Sequence, residues 1–468
     1  LTEFLSAADI YITPYLNAEQ ITSGTLAYAV GAGKAVLSTP YIYARELLAD
    51  GRGVLVPWRD ASAIADEVVD LVSDPVRYRA MCARAAAQGQ EMTWPAVARQ
   101  YVESFSRARA SDMRRRRTSF QTQTVADRPA GWPEIDLRHV RALTDDTGIL
   151  QHAVFSIPRY EDGYCLDDNA RALLLMTLLE EAGTDDPLAV RALASRYLAF
   201  VSHAFDRSSG HFRNFFSYGR QWLEPQGSED SHGRALWALG AVVGRASDPG
   251  RHSLAGELFH AAMPAAPTFT SPRAWAYVLL GIEAYLRAFQ GDSTVEGLRE
   301  DLATRLFGLF QRTSTLEWPW FEDSVTYCNA RLSQALIVSG TRMHRTEIVD
   351  AGLRSLDWLV SLQVSHEGDF APIGCNGFLS RGGAAAVFDQ QPVEACTVTS
   401  ACLAAHGVSG DARWMERGTR AFEWFLGQNN LQQWLYDAST GGCRHGLHAD
   451  PTNRNQGAEA TLSFLLAL

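Results

Sequence analysis

The chain has 468 residues, 46% of them hydrophobic and 20% charged, a balance that supports large buried cores and, at roughly 100–200 residues per domain, two or three domains. A formal net charge of −11 gives it no electrostatic footprint for nucleic acid or an anionic membrane surface. Seven cysteines without a CxxC pair, no apolar run near the roughly 20 residues that span a bilayer, and no basic-then-apolar leader predict a cytoplasmic protein without a membrane span.

In chain order, residues 1 to about 108 alternate strand and helix. Apolar Ile10-Tyr11-Ile12 reads as a strand, followed by a loop through Thr25 and a helix to Ala32. Strands are predicted over Ala35–Ser38 and Gly53–Val56, with helices near Ala44–Leu48, Ala61–Val72 and Pro75–Gln88. Strand, loop, helix and strand at this pitch imply parallel βαβ units in an open, Rossmann-like α/β sheet. Only three strands are visible, so about half a sheet is expected. Leu1 falls inside a predicted helix, which reads as the start of a fragment. From about 109 to 131 the apolar period fails around Arg114-Arg115-Arg116-Arg117 and a Ser/Thr/Gln stretch. A solvated linker is expected there.

From 132 to 468 the strand signal fades and helices take over. Six short segments each start with a polar or carboxylate turn and run into a small-residue apolar helix. They begin near Asp167-Asp168, Glu229-Asp230, Ser271-Pro272, Glu322-Asp323 (the helix following at Asn329), Pro392-Val393-Glu394 and Asn455-Gln456. Longer amphipathic helices alternate with them, such as Pro187–Phe205, Val295–Phe310, Glu347–Leu362 and Asp411–Leu426. Six inner and six outer helices make a closed (α/α)6 toroid, with Ile135–Leu143 supplying the sixth outer helix from the N-terminal side. In such a ring the starts of the inner helices converge on one funnel.

That funnel is where chemistry is expected. Cleaving a glycosidic bond takes one protonated and one ionised carboxyl group on opposite sides of the bond. Asp168, Asp230 and Asp323 share one context, just before a small-residue helix, and with Glu394 they are the candidate catalytic groups. Asp167, Glu229, Glu322, Asp389 and Glu459 are further candidates at the same helix starts. Adjacent acids such as Asp167-Asp168 repel, which raises one pKa towards that of a useful general acid. Helix capping and pairing with Arg171, Arg234 or Arg331 account for any one of these carboxylates equally well.

Sugars present apolar CH faces to flat rings beside hydrogen-bonding groups. Tyr164, Trp222, Trp318 and Trp320 in loops are therefore expected to bind substrate, with Arg171 and the amides Gln390, Gln391, Asn455 and Gln456. Epimerisation would need a base beside a carbonyl carbon, and His232 next to Asp230 is the candidate. Cys443, His445 and His448 in a Gly-rich loop raise zinc as a rival, but their spacing fits no standard zinc pattern and no metal is expected.

Two resemblances organise these readings. Glu19, then Ser23-Gly24-Thr25 at a helix start and Gly33-Lys34-Ala35-Val36 at its end, resemble the nucleotide-sugar-binding half of family 4 glycosyltransferases of the GT-B fold. The resemblance implies a diphosphate at the helix start, with Glu19, Ser23, Gly24 and Thr25 as donor contacts. It implies a nucleotide-sugar as donor for the intact transferase, and an acceptor domain before Leu1. The family's second Glu is replaced in the region of Ala27 and Tyr28. The helical part resembles the six-hairpin glycosidase scaffold, shared by hydrolases, phosphorylases and sugar epimerases, which implies an oligosaccharide or polysaccharide partner. Hydrolysis or phosphorolysis of a glycosidic bond is the expected reaction, without a bound cofactor. The alternatives are a non-catalytic glycan-binding toroid and a sugar epimerase.

Overall fold

The computed structural model describes residues 2–115, 131–184, 186–449 and 453–468. The chain divides into two compact units, Leu1–Gln121 and Thr122–Leu468.

In the first unit α1 (Thr2–Ala7) leads into β1 (Ile10–Thr13), α2 (Gly24–Gly31), β2 (Ala35–Ser38), α3 (Ile42–Leu47) and β3 (Val54–Leu55). The three strands are parallel in the order β1-β2-β3, with Ile10 opposite Ala35 and Leu37 opposite Val54. All four residues of the middle strand β2 are buried, as a strand covered on both faces requires. Gly33 ends the α2 turn at φ 69°, a left-handed conformation that glycine takes at little cost, and the chain drops directly into β2. Three helices follow: α4 (Ala61–Ser73), α5 (Pro75–Glu91) and α6 (Trp94–Arg115). The last stays helical past 108 because Ala, Arg and Met favour helix, so the first part of the segment expected as linker is helical. Residues 116–130, which include Arg116 and Arg117, lie outside the described residues.

The second unit is a ring of helix pairs. The inner helices are α8 (Leu166–Ala182), α10 (Glu229–Arg245), α12 (Pro272–Tyr285), α14 (Ala330–Arg342), α16 (Pro392–Ser409) and α18 (Ala458–Ala467). Each packs on the next, and α18 packs back on α8, which closes the circle. The outer helices are α7 (Arg138–Leu143), α9 (Pro187–Ala204), α11 (Pro249–Ala262), α13 (Ser293–Thr313), α15 (Thr346–Leu362) and α17 (Ala412–Glu423), each against its inner partner. Helix α7 pairs with α18, as the sequence predicts.

The two kinds of helix differ in how they bury residues. In α17 only Trp414, Gly418, Ala421 and Phe422 are buried, one stripe at helical spacing. In α8 the run Asp168 to Thr177 is buried without a break, because that helix has neighbours on both sides and the ring centre in front. The outer helices α9, α11, α13 and α17 are capped by Asp186, Asp248, Asp292 and Asp411, whose carboxylates accept from first-turn N–H groups. Helices α10 and α12 meet backbone to backbone. A Cβ at Gly240 or Gly244 would stand 2.1 Å from the carbonyl oxygen of Gly281 or Ala284, so no side chain fits there.

The connections set the two rims of the ring apart. Segments entering the inner helices are long, such as 205–228, 363–391 and 424–457, and carry short antiparallel strand pairs including Tyr164-Cys165 with Phe215-Phe216. Segments leaving them are short turns, such as 246–248 and 343–345. Nearly all the irregular chain therefore gathers over the inner helix N-termini.

Candidate functional site

On that N-terminal rim four arginines, one from each of four successive inner helices, turn inward and are buried: Arg171, Arg234, Arg273 and Arg331. Arg171 on α8 bonds Asp168 Oδ1 at 2.8 Å and Glu459 Oε2 of α18 at 2.7 Å, tying the closing seam of the ring. Arg234 on α10 pairs with Asp167 at 3.2 Å and lies 4.3 Å over the Tyr277 ring. Arg273 on α12 bonds Glu322 at 2.8 Å and stacks on Tyr327, and Arg331 on α14 stacks on Trp237. Guanidinium groups suit this duty because they stay charged, fork onto carboxylates and lie flat on rings.

The four carboxylates expected to do chemistry are each engaged. Asp168 is 5% exposed, with Oδ1 accepting from Arg171 and Oδ2 from the Cys165 thiol. Burial pushes its carboxyl up, against the pull of Arg171, to about 6. Asp230 accepts from Ser271 Oγ and from the Tyr327 hydroxyl, both at 2.7 Å. Glu394 is 3% exposed and receives the backbone N–H of Cys328 and, at 2.9 Å, Asn329 Nδ2. Its two oxygens fix the turn before α14, where Cys328 sits at φ 48°; burial pushes this carboxyl up, partly offset by those bonds. Asp323 points into solvent, its side chain 84% exposed, beside Arg381 at 3.5 Å. Its neighbour Glu322 takes the inward direction instead.

Histidines supply what these carboxylates lack. The loop before α18 is held between two others: Gln390 and Leu447 exchange backbone hydrogen bonds, and His445 N donates to Asn455 O. Asn455 Oδ1 in turn accepts from Phe155 N. This brings His448, His445 and His152 to one side of the rim. His448 Nδ1 lies 2.7 Å from Asp389 Oδ1; the carboxylate only accepts, so Nδ1 carries the proton and Nε2 is left as a base. The rings of His152 and His445 lie edge to face at 6.1 Å. Burial and the two neighbouring histidines hold His445 below the ordinary histidine range, against the pull of Glu459. Burial pushes the Glu459 carboxyl up, but Arg171, Arg234 and His445 outweigh it and keep it ionised. The result is a half-buried stretch of rim with three imidazoles, two carboxylates and a buried cation.

Several expected site residues serve packing instead. His232 is 2% exposed, bonds the Ala262 carbonyl at 3.0 Å and is pushed down to about 4 by burial, so it sits in the core as a neutral ring and is no base at the rim. Trp318 and Trp320 are buried against Trp358, with their indole N–H groups on the carbonyls of Glu322 and Ser324. Tyr164 packs with Phe200 and Phe216 and gives its hydroxyl to Asp145. Trp222 joins the same cluster under Arg213. Glu229 accepts the N–H groups of Thr270 and Ser271 and so holds the start of α12. Gln390 bonds Trp424 and Asn430, and Gln456 bonds Thr440 and Asp437, all within the wall. Gln391 donates to the Cys375 sulfur. Among the described residues no group of three or more His, Cys, Asp or Glu is placed to hold a metal ion, and the Cys443 thiol is buried against the Arg444 carbonyl. Among them, too, no helix is long and apolar enough to cross a membrane.

In the first unit Ser23 caps α2 by accepting from Leu26 N, while Gly24 and Thr25 are exposed beside it. Bonds from Ser23 and Thr25 draw the Tyr15 hydroxyl below the ordinary tyrosine range. Glu19 is exposed on the preceding loop.

Comparison with known proteins agrees with this division. Residues 1–74 match the family model for glycosyl transferases group 1. The ring is similar to a cellobiose 2-epimerase from Bacillus thermoamylovorans B4167, at TM-score 0.56 and 12% identity, over 70% of this chain and 95% of that one. The second unit is an (α/α)6 toroid. A sugar epimerase from a ruminal bacterium gives TM-score 0.55 at 10% identity, over 69% of this chain and 92% of that one. A D-mannose isomerase gives 0.54 at 11%, over 72% and 98%. No curated protein matches the sequence.

Proposed function

We propose that the toroid is a sugar epimerase or isomerase acting at the reducing end of a free saccharide. The observation that carries this reading is the placement of His448, oriented by Asp389, and His445, beside Glu459, on the rim where the carboxylates are already engaged. Moving a proton next to a carbonyl takes a base of near-neutral pKa on one face and an acid on the other. His448 Nε2 takes the proton from the carbon beside the open-chain carbonyl, and the electron pair moves onto the carbonyl oxygen as an enediolate. The cationic field of Arg171 and Arg234 stabilises that charge in a partly buried setting. For epimerisation the imidazolium form of His445, its minor form and the one Glu459 favours, gives a proton to the opposite face, and the two histidines then exchange protons with solvent. For isomerisation His448 returns its proton to the former carbonyl carbon while the hydroxyl proton passes to the other oxygen. The epimerases and isomerase of similar fold support this choice over bond cleavage.

Full-length protein incubated with cellobiose or mannose in heavy water tests it. Deuterium at the carbon beside the carbonyl of the recovered sugar is the expected result. Intact sugar without deuterium, across a panel of reducing mono- and disaccharides, overturns it. Release of shorter sugars would favour cleavage, for which Asp168 has a general acid's pKa. Tight binding with neither outcome would make the ring a glycan-binding module. In the first unit, a nucleotide-sugar diphosphate at Ser23, Gly24 and Thr25, with Glu19 on its sugar or ribose, is our reading of the match to glycosyl transferases. We take 1–108 and 132–468 as the two domains and 109–131 as the segment joining them.

A further inference from the structure

The opposite rim holds a cavity that the reading above does not use. Below the N-terminal turns the ring axis narrows to a hollow of about 20 Å³ lined by Arg171, Arg234, Trp237 and Arg331. Beyond it the axis widens to about 520 Å³, with wall residues from all six inner helices. Its polar lining is Arg245, Arg287, Arg331, Arg342, Gln334, Ser400 and the buried Glu283. It runs on into a second hollow of about 490 Å³ that shares Glu283, Arg287 and Arg342 and adds Arg299 and Glu296.

Arginine at helix C-termini has an ordinary role, neutralising the negative end of the helix dipole. Arg245 and Arg287 fit it, but they share one carboxylate, Glu181, at 2.8 Å each, which leaves one of their two positive charges unbalanced. Arg342, in the last turn of α14, fits the role by position; Arg331 and Arg299 do not. Arg331 belongs to the first turn of α14, where the dipole is positive, and reaches down the axis to Gln334. Arg342 has no carboxylate within ion-pair distance among the described residues. Arg299 has only long ion pairs, at 3.8 Å to Glu283 and 3.9 Å to Glu296, and its Nε is buried with no hydrogen-bond partner. Positive charge thus exceeds what the protein itself engages, in a space the size of a small-molecule site.

We propose that this cavity binds a phosphate group, with Arg342, Arg287 and Arg299 at the mouth as its ligands and Trp237 as the floor for any organic part the phosphate carries. Guanidinium forks match phosphate oxygens in charge and geometry. Glu283, facing Arg299, Arg342 and Glu296, lines both hollows and, with Glu296 in the second, opposes the bound anion.

Calorimetric titration of the full chain at low ionic strength, with inorganic phosphate and separately with glucose 6-phosphate, tests the proposal. Binding of one equivalent, weakened at least about fivefold in R342Q and strengthened in E283Q, is expected. A tighter fit for the ester identifies a phosphate monoester as the ligand; equal affinity identifies free phosphate. Arg342 makes no structural ion pair, so R342Q keeps the fold. No binding of either probe overturns the proposal. So does binding that R342Q leaves unchanged, which would locate the phosphate elsewhere, as at the Ser23–Thr25 turn of the first unit.

Discussion

The two rims of the toroid are built from the same six helices and have opposite characters. At the N-terminal rim the helix dipoles are positive, carboxylates are favoured there, and long loops bring in Asp389, His445 and His448. At the C-terminal rim the dipoles are negative, the turns are short, and the cations come from the helices themselves. A parallel set of inner helices therefore puts the positive dipole ends at one rim and the negative ends at the other, and the anion proposed for the second is held by arginines against the dipoles. Loop length then decides which end acquires histidines.

This contrast can be broken in four ways. The largest expected effect is H448N, which removes the base at the N-terminal rim and should lower the rate of deuterium exchange about 10²- to 10⁴-fold with the melting temperature unchanged. Next, R171M strands Asp168 and Glu459 as a buried and a half-buried carboxylate on the closing seam, and should cost about 3–5 kcal/mol in denaturant unfolding. G281V forces a side chain against Leu236 O, which a Cβ would approach to 2.7 Å, and should cost about 1–3 kcal/mol by the same measurement.

The smallest effect belongs to the C-terminal rim and depends on pH. Burial pushes the Glu283 carboxyl up to about 7, against Arg299, Ser339 and Arg342, from an ordinary 4.5. The folded state then holds this proton more tightly than the unfolded chain does. The resulting stability is complete below about pH 4.5 and is lost as pH rises towards 7. E283Q should therefore gain on the parent protein between pH 5 and 8, by about 1–2 kcal/mol. A pH-independent difference would show that Glu283 is ionised throughout.

Much of the ring was legible in the sequence because its cause is local. Small-residue apolar runs after polar turns marked all six inner helices, and the gap in their alternation pointed to α7 as the sixth outer one. In the first unit the spacing of three short apolar runs was enough for the parallel sheet. The site was less legible, for a geometric reason. Whether Glu322 or Asp323 turns inward depends on one residue of phase in an irregular loop, and periodicity says nothing there. Trp318 and Trp320 read as loop aromatics, but Trp358 on the outer helix α15 lies beneath them and takes them into the core. His445 and His448 stood out only as a weak zinc pattern. Their partners, Asp389 from another loop and Glu459 in the first turn of α18, meet them only once the ring is closed.

Helix α18 packs against α7 and α8, which belong to the other end of the same unit. The bond from Arg171 to Glu459, 288 residues away, and that between His139 and Gln456, 317 apart, are thus long-range contacts of the closing seam, and loop-closure entropy must be met before they form. On a ribosome the rim cannot assemble stepwise. His445, His448 and Glu459 emerge after nearly all the helices they serve, so the proposed acid–base pair comes into being in the same event that shuts the circle.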